Sequence, residues 1–247
     1  MKKLIAGNWK MNLTAGEAKS LADTISSSAE KYPQVDFLVC PAFVHIPVVR
    51  QAVRDNLAIG AQDCAATENG AHTGDVSASM LQDIGCKAVI IGHSERRANH
   101  GEKENILAQK IRQALAQDLH IIYCVGETLE QRENGKAQDI VGAQLENILT
   151  DALSSGNLTI AYEPVWAIGT GKTASTDDIA GMHSFIRGTL KEKLESGAQI
   201  RILYGGSVKP SNAGDIFTID NVNGALIGGA SLKSADFLAI AGHAHLR

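Results

Sequence analysis

The sequence predicts an α/β fold, a (β/α)8 barrel with a parallel eight-stranded core, and three observations point there. Short runs of branched apolar residues recur along the chain, and each is followed by a stretch whose apolar residues return at helical spacing. There are eight such pairs, and 247 residues shared among eight units average about 31 each, close to the length of one βα unit. No Pro-, Ser- or Gly-rich linker interrupts the series, so residues 1–247 read as one domain. Eight units also fit an open doubly wound sheet; the count favours closure.

The expected strands are Leu4 to Asn8, Asp36 to Cys40, Ala58 to Gln62, Ala88 to Gly92, Ile121 to Val125, Thr159 to Glu163, Ile200 to Tyr204 and Gly224 to Gly228. The fourth, Ala88-Val89-Ile90-Ile91, is apolar at every position, which suits a parallel sheet covered by helices. After it, Leu107, Ile111 and Ala114 share one helical face. After the sixth strand, Ile179, Met182, Ile186 and Leu190 do the same. That helix begins near Ser175 or Thr176, with Asp177 and Asp178 placed to favour the helix dipole.

Composition narrows the function classes. An apolar content of 44% with 20% charged residues is ordinary for a globular protein and excludes a disordered, collagen-like or disulfide-scaffold chain. A net charge of −4 lacks the broad positive surface that nucleic acids or anionic membranes need. Cys40, Cys64, Cys86 and Cys124 form no CxxC pair and read as reduced, buried thiols, so no metal site is expected. The apolar run at Leu4-Ile5-Ala6 ends too early for a signal-peptide core, and no run approaches the ~20 apolar residues of a membrane span. A cytoplasmic location is the expectation.

In parallel α/β folds ligands bind beyond the C-terminal strand ends, and four ends carry polar groups. They are Gly7-Asn8-Trp9-Lys10, Gly92-His93-Ser94-Glu95, Tyr162-Glu163-Pro164 and Tyr204-Gly205-Gly206-Ser207. Glu163, at the end of an apolar strand, suits a general base shielded from water; a structural glutamate paired with an arginine fits the same position. His93 falls at the N-terminus of a short helix, whose dipole disfavours the imidazolium and leaves a neutral hydrogen-bond donor. The turns at Gly205-Gly206-Ser207 and Gly228-Gly229-Ala230-Ser231 offer backbone N–H groups to an anion. Gly171-Lys172-Thr173 imitates a P-loop, but the glycine required five positions earlier is Trp166. Instead, Pro164, Val165, Trp166, Ala167, Ile168, Gly169, Thr170, Gly171, Lys172, Thr173 and Ala174 form a proline-led, glycine-rich segment without helical pattern, which reads as a lid.

Together these motifs closely resemble the triosephosphate isomerase family. They are Gly-Asn-Trp-Lys at 7 to 10, Ile-Gly-His-Ser-Glu-Arg-Arg at 91 to 97 and Ala-Tyr-Glu-Pro-Val-Trp-Ala-Ile-Gly-Thr-Gly-Lys at 161 to 172, with Tyr-Gly-Gly-Ser-Val at 204 to 208. Shorter matches fall at 70 to 74, 124 to 128 and 224 to 232. The resemblance spans essentially the whole chain and implies a TIM barrel that interconverts dihydroxyacetone phosphate and D-glyceraldehyde 3-phosphate through an enediolate, a step of glycolysis and gluconeogenesis. It implies that Glu163 moves the carbon-bound proton while neutral His93 polarises the substrate oxygens. Lys10 and Asn8 then stabilise negative charge, Glu95 partners Lys10, and Ser94 holds Glu163 at rest. Gly169, Ser207, Gly228 and Gly229 hold the phosphate, and no cofactor or metal takes part. It further implies a homodimer in which the loop of about residues 64 to 78, with Thr73 near its tip, enters the neighbour.

Two residues depart from the family pattern. Asp63 stands where asparagine is usual, and Asp75 where glutamate is more frequent. The alternatives are another sugar-phosphate barrel enzyme and a non-catalytic phosphometabolite-binding barrel. An aldolase would need a Schiff-base lysine inside the barrel, and none of the expected strands contains one.

Overall fold

A computed structural model describes residues 1–168 and 174–246. The eight strands are β1 (Lys3–Asn8), β2 (Val35–Cys40), β3 (Ala58–Ala61), β4 (Ala88–Ile91), β5 (His120–Val125), β6 (Leu158–Tyr162), β7 (Arg201–Tyr204) and β8 (Gly224–Ile227). They pair in sequence order, all parallel, and β1 closes on β8. Each strand lies within one or two residues of its expected position. At four C-terminal ends the observed strand stops one residue short, where Gln62, Gly92, Glu163 and Gly228 leave the ladder to serve the mouth. At the opposite end β1 starts one residue early, at Lys3. Its ammonium donates to Val222 O at 3.0 Å, away from the C-terminal mouth.

The strands are buried on both faces. Leu4, Leu38, Ile90, Ile122, Leu203 and Leu226 fill the barrel, while Ile5, Val39, Ile91, Ile121, Ile160 and Ile202 pack against the helices. Closure needs Gly224, at φ 139°, because a Cβ there would lie 1.9 Å from Leu4 O.

The helices meet this layer with the stripes read from sequence. In helix Glu104–Ala116, Leu107, Ile111 and Ala114 are buried; in Thr176–Lys193, Ile179, Met182, Ile186 and Leu190 are. Ser175 is the N-cap of the second, its hydroxyl accepting from Asp178 N–H while the Asp178 carboxylate accepts from Ser175 N–H. All four cysteines are free and buried, and among the described residues no helix is long and apolar enough to cross a membrane.

His183, fully buried in helix Thr176–Lys193, lies edge-on to Tyr162, and its Nδ1 is 3.1 Å from Asn221 O. Burial pushes its pKa down to about 4, against about 6.5 for an unfolded chain. The stability this neutral ring contributes is therefore full above pH 6.5 and is lost as the pH falls toward 4, by about 3 kcal/mol in all. We expect His183→Gln to flatten the acid side of the stability curve between pH 6.5 and 4, as measured by urea unfolding; an unchanged slope contradicts the assignment.

Candidate active site

The end of β1 delivers Lys10 in a left-handed backbone conformation, φ 52°, which costs a non-glycine residue about 1 kcal/mol or more. Two side chains hold it there. Asn8 Oδ1 accepts from Lys10 N–H at 3.1 Å, and Gln62 Nε2 donates to Lys10 O at 2.8 Å and to Cys40 O at 2.9 Å. The Lys10 ammonium then reaches Glu95 Oε1 at 2.5 Å.

After β4 the chain turns at Gly92 and starts the helix Ser94–His100, with His93 as its N-cap. His93 Nδ1 accepts from Glu95 N–H at 3.2 Å, so it presents a lone pair and leaves Nε2 to carry the proton. Nε2 lies 3.0 Å from Glu163 Oε1, and Ser94 N–H donates to Glu163 Oε2 at 2.9 Å. Glu163 itself is placed just past β6, where its N–H donates to Val125 O at 2.7 Å; only 2% of its surface is exposed.

Burial alone would raise the Glu163 pKa. The His93 ring and the Ser94 N–H outweigh it, with Lys10 adding to them, and hold the carboxyl below its usual range. For His93, burial disfavours the charged ring, but the Glu163 carboxylate outweighs it and lifts the pKa above its ordinary value. The Glu163 carboxylate 3.0 Å away favours a proton on the ring, and the Nδ1 contact places that proton on Nε2.

Asn8, Lys10, His93 and Glu163 line one cavity of about 600 Å³ together with Ile168, Ser207, Gly228 and Gly229. The sequence-derived residues of β1, β4, β6, β7 and β8 therefore converge. Gly228 precedes a 3-10 turn over Gly229–Leu232, and the Ser207 hydroxyl donates to Ala167 O at 2.9 Å. The expected lid residues Gly169, Thr170, Gly171, Lys172 and Thr173 lie outside the described residues. Its two flanks are described: Val165–Ala167 forms a 3-10 turn where no helical pattern was expected, and Ala174 is buried. Thr73 is not part of this cavity; it sits exposed at the tip of a loop whose base is closed by Ala65 N–H to Val76 O at 2.8 Å. Cys124 is fully buried, and desolvation drives its thiol pKa well up, so it packs rather than attacks.

Three further residues serve the site without having been singled out from the sequence. Gln62 clamps Lys10, as above. Glu127, fully buried, accepts on Oε1 from Trp166 Nε1 at 2.9 Å, Tyr162 OH at 3.1 Å and Arg132 at 3.0 Å, and its O accepts from Val165 N–H. It anchors the 3-10 turn Val165–Ala167. Gly126 lies against Glu163, where a Cβ would approach Glu163 O to 1.8 Å. A Gly-Glu pair after the fifth strand, inside the motif at 124 to 128, was the available signal.

A closed parallel barrel that gathers a carboxylate, an imidazole and an ammonium at its C-terminal mouth belongs with the (β/α)8 barrels whose chemistry sits at the strand ends. Comparison with known proteins narrows the class. The sequence profile of the family described as triosephosphate isomerase matches residues 3–244. A triosephosphate isomerase of Bradyrhizobium sp. (strain ORS 278) is 50% identical over 244 residues, 98% of this chain and 97% of that one. One from Hahella chejuensis (strain KCTC 2396) is 47% identical over 241 residues, 97% of each. The crystal structure of triosephosphate isomerase from Bartonella henselae superposes with a TM-score of 0.91 at 41% identity, covering 98% of this chain and 99% of that one. The chain belongs to the triosephosphate isomerase family.

Because Glu163 and Gly126 are in backbone contact, Gly126→Ala is expected to displace the carboxylate by an ångström or more and to lower kcat about 100-fold. Steady-state kinetics would check this, and near-normal turnover would show that the close approach is not needed.

Proposed function

We propose that the chain interconverts dihydroxyacetone phosphate and D-glyceraldehyde 3-phosphate, with Glu163 as the base and His93 as the electrophile. The observation that carries this reading is the buried Glu163 carboxylate, aimed into the shared cavity by Ser94 N–H and paired with His93 Nε2. At rest that pairing makes Glu163 a weak base. A substrate that slides its carbonyl and neighbouring carbon between the two side chains breaks the pair, and burial, opposed then only by Ser94 N–H and Lys10, raises the carboxylate pKa toward proton abstraction. His93, parted from Glu163, loses its main stabiliser of the charged ring, and burial and Lys10, which favour the neutral ring, then weigh against Glu95 alone. It donates its Nε2 proton toward the substrate oxygen as the enediolate forms. Glu163 returns its proton to the adjacent carbon. The reaction consumes no electrons, so it asks for no redox cofactor, and His93 and Lys10 supply the charge stabilisation that an electrophilic metal would otherwise give.

Lys10 supplies positive charge beside the developing oxyanion, and Asn8 keeps Lys10 in place. Gly169, Ser207, Gly228 and Gly229 hold the phosphate by backbone N–H groups, as helix-turn termini suit anions. The segment from Pro164 to Ala174 closes over the bound triose, and Glu127 serves as its fixed post. We further read residues 1–247 as a single domain, the active form as a homodimer with Thr73 inserted beside the partner's first strand end, and the compartment as cytoplasmic. Met11 and Val44, 94% and 80% exposed near the mouth of this chain, are apolar groups that such a partner would cover.

The deciding assay is isomerisation of D-glyceraldehyde 3-phosphate in EDTA, with dihydroxyacetone phosphate read by a coupled reductase; no conversion by folded protein sinks the reading. Glu163→Gln keeps shape and removes basicity, so it is expected to bind a phosphate-bearing enediolate analogue while kcat falls roughly 1,000-fold. Sedimentation at micromolar protein should give twice the chain mass, and a single species of one chain would remove the dimer.

A further inference from the structure

The helix Ser94–His100 buries none of its seven residues, so apolar packing does not set its position. Yet its first turn aims Ser94 N–H at Glu163, Glu95 N–H at His93 and the Glu95 carboxylate at Lys10. Two adjacent arginines stand in for the missing apolar anchor. Arg97 ties the helix toward β4 and β5: it donates to Gly92 O at 2.8 Å, Tyr123 OH at 3.1 Å and Cys124 O at 3.3 Å, and pairs with Glu104 at 2.6 Å. Arg96 ties it toward β3, through Asp63 Oδ2 at 2.9 Å and Glu102 Oε1 at 2.7 Å.

Behind Arg96 the buried Lys110 ammonium, from helix Glu104–Ala116, bonds both Asp63 oxygens at 2.7 Å and Glu102 Oε1 at 2.6 Å. Two cations and two anions meet here, with Asp63, Glu102 and Lys110 largely buried and Arg96 30% exposed, so removing one charge strands buried partners. Asp63 also directly follows Gln62, the clamp on Lys10. One carboxylate thus joins the strand end that holds Lys10 to the helix that holds Glu163. Its two oxygens bridge two cations with charge-assisted bonds, whereas the asparagine that the family resemblance leads one to expect at this position offers a single neutral acceptor.

We propose that Asp63, acting through Arg96 and Lys110, is a positioning residue that keeps the helix Ser94–His100 in register with Gln62 and Lys10, and so sets the resting geometry of Glu163. This rests on the reading of Glu163 as the base. Two readouts separate it from a merely structural role. In the resting protein, Asp63→Ala is expected to shift the backbone 15N–1H signals of Ser94 and Glu95 while those of Ser207, Gly228 and Gly229 stay in place. In kinetics, kcat falls about tenfold with KM within about twofold, and inhibition by inorganic phosphate is unchanged. Asp63→Asn, which keeps the volume and one acceptor for Arg96, recovers to within about threefold of the original kcat. Should Asp63→Ala not fold, Asp63→Asn alone decides: a shifted Ser94 signal with a threefold lower kcat supports the proposal, and original values of both overturn it. A folded Asp63→Ala with unmoved Ser94 and unchanged kcat overturns it as well, and so does a parallel loss of phosphate affinity, which marks general loosening. If the unaltered protein shows no isomerase activity, the proposed function fails, but the Ser94 and Glu95 signals still decide the positioning role.

Discussion

Everything at the active end depends on β8 closing on β1. The parallel ladder from Leu4 opposite Gly224 to Gly7 opposite Ile227 turns a row of eight strands into a ring. That ring needs a backbone approach at Gly224 which any Cβ would block. Because all eight strands run the same way, closure brings every C-terminal end to one mouth, and residues more than 200 positions apart become neighbours. Asn8 and Gly228 then line the same cavity. An open sheet of the same strands would leave β1 and β8 at opposite edges, with no shared site.

Beyond the ladder, apolar packing gives way to polar bracing. The barrel body is held by side chains such as Ile90, Ile122 and Leu203, packed without exposed surface. At the mouth, Gln62, Glu95, Glu127 and the Asp63 cluster take over, each acting through hydrogen bonds or ion pairs of defined length. Directional bonds suit this task, because an active site has to fix atoms and not merely exclude water. The same bracing explains the resting state. Glu163 is buried at the cost of its hydration, and His93 and Ser94 N–H offset that cost.

Much of this was legible beforehand, for physical reasons. Strands buried on both faces leave continuous apolar runs, so all eight were placed to within one or two residues. Groups needed at strand ends must follow those runs directly, which is why Asn8, Lys10, His93 and Glu163 stood out. Gln62, Gly126 and Glu127 did not, since their importance lies in contacts made across the barrel. Gln62 meets a carbonyl 52 positions away, and Glu127 meets Trp166 from 39. The electrostatics of His93 follow the same rule: a helix terminus is a local feature, whereas the carboxylate that lifts its pKa arrives from another strand.

The sequence by itself determined the eight βα units, their order, the helix faces and the polar residues at the strand ends, because periodicity and strand-end position are properties of neighbours along the chain. Only the tertiary structure decided which of those residues meet, at what distance, and with what balance of burial against charge. Hydrogen bonds and pKa shifts depend on separations of a few ångströms between segments that the chain itself holds far apart. Asp63 marks the boundary: the sequence showed a carboxylate where an amide is usual, and the fold supplied Arg96 and Lys110 to receive it.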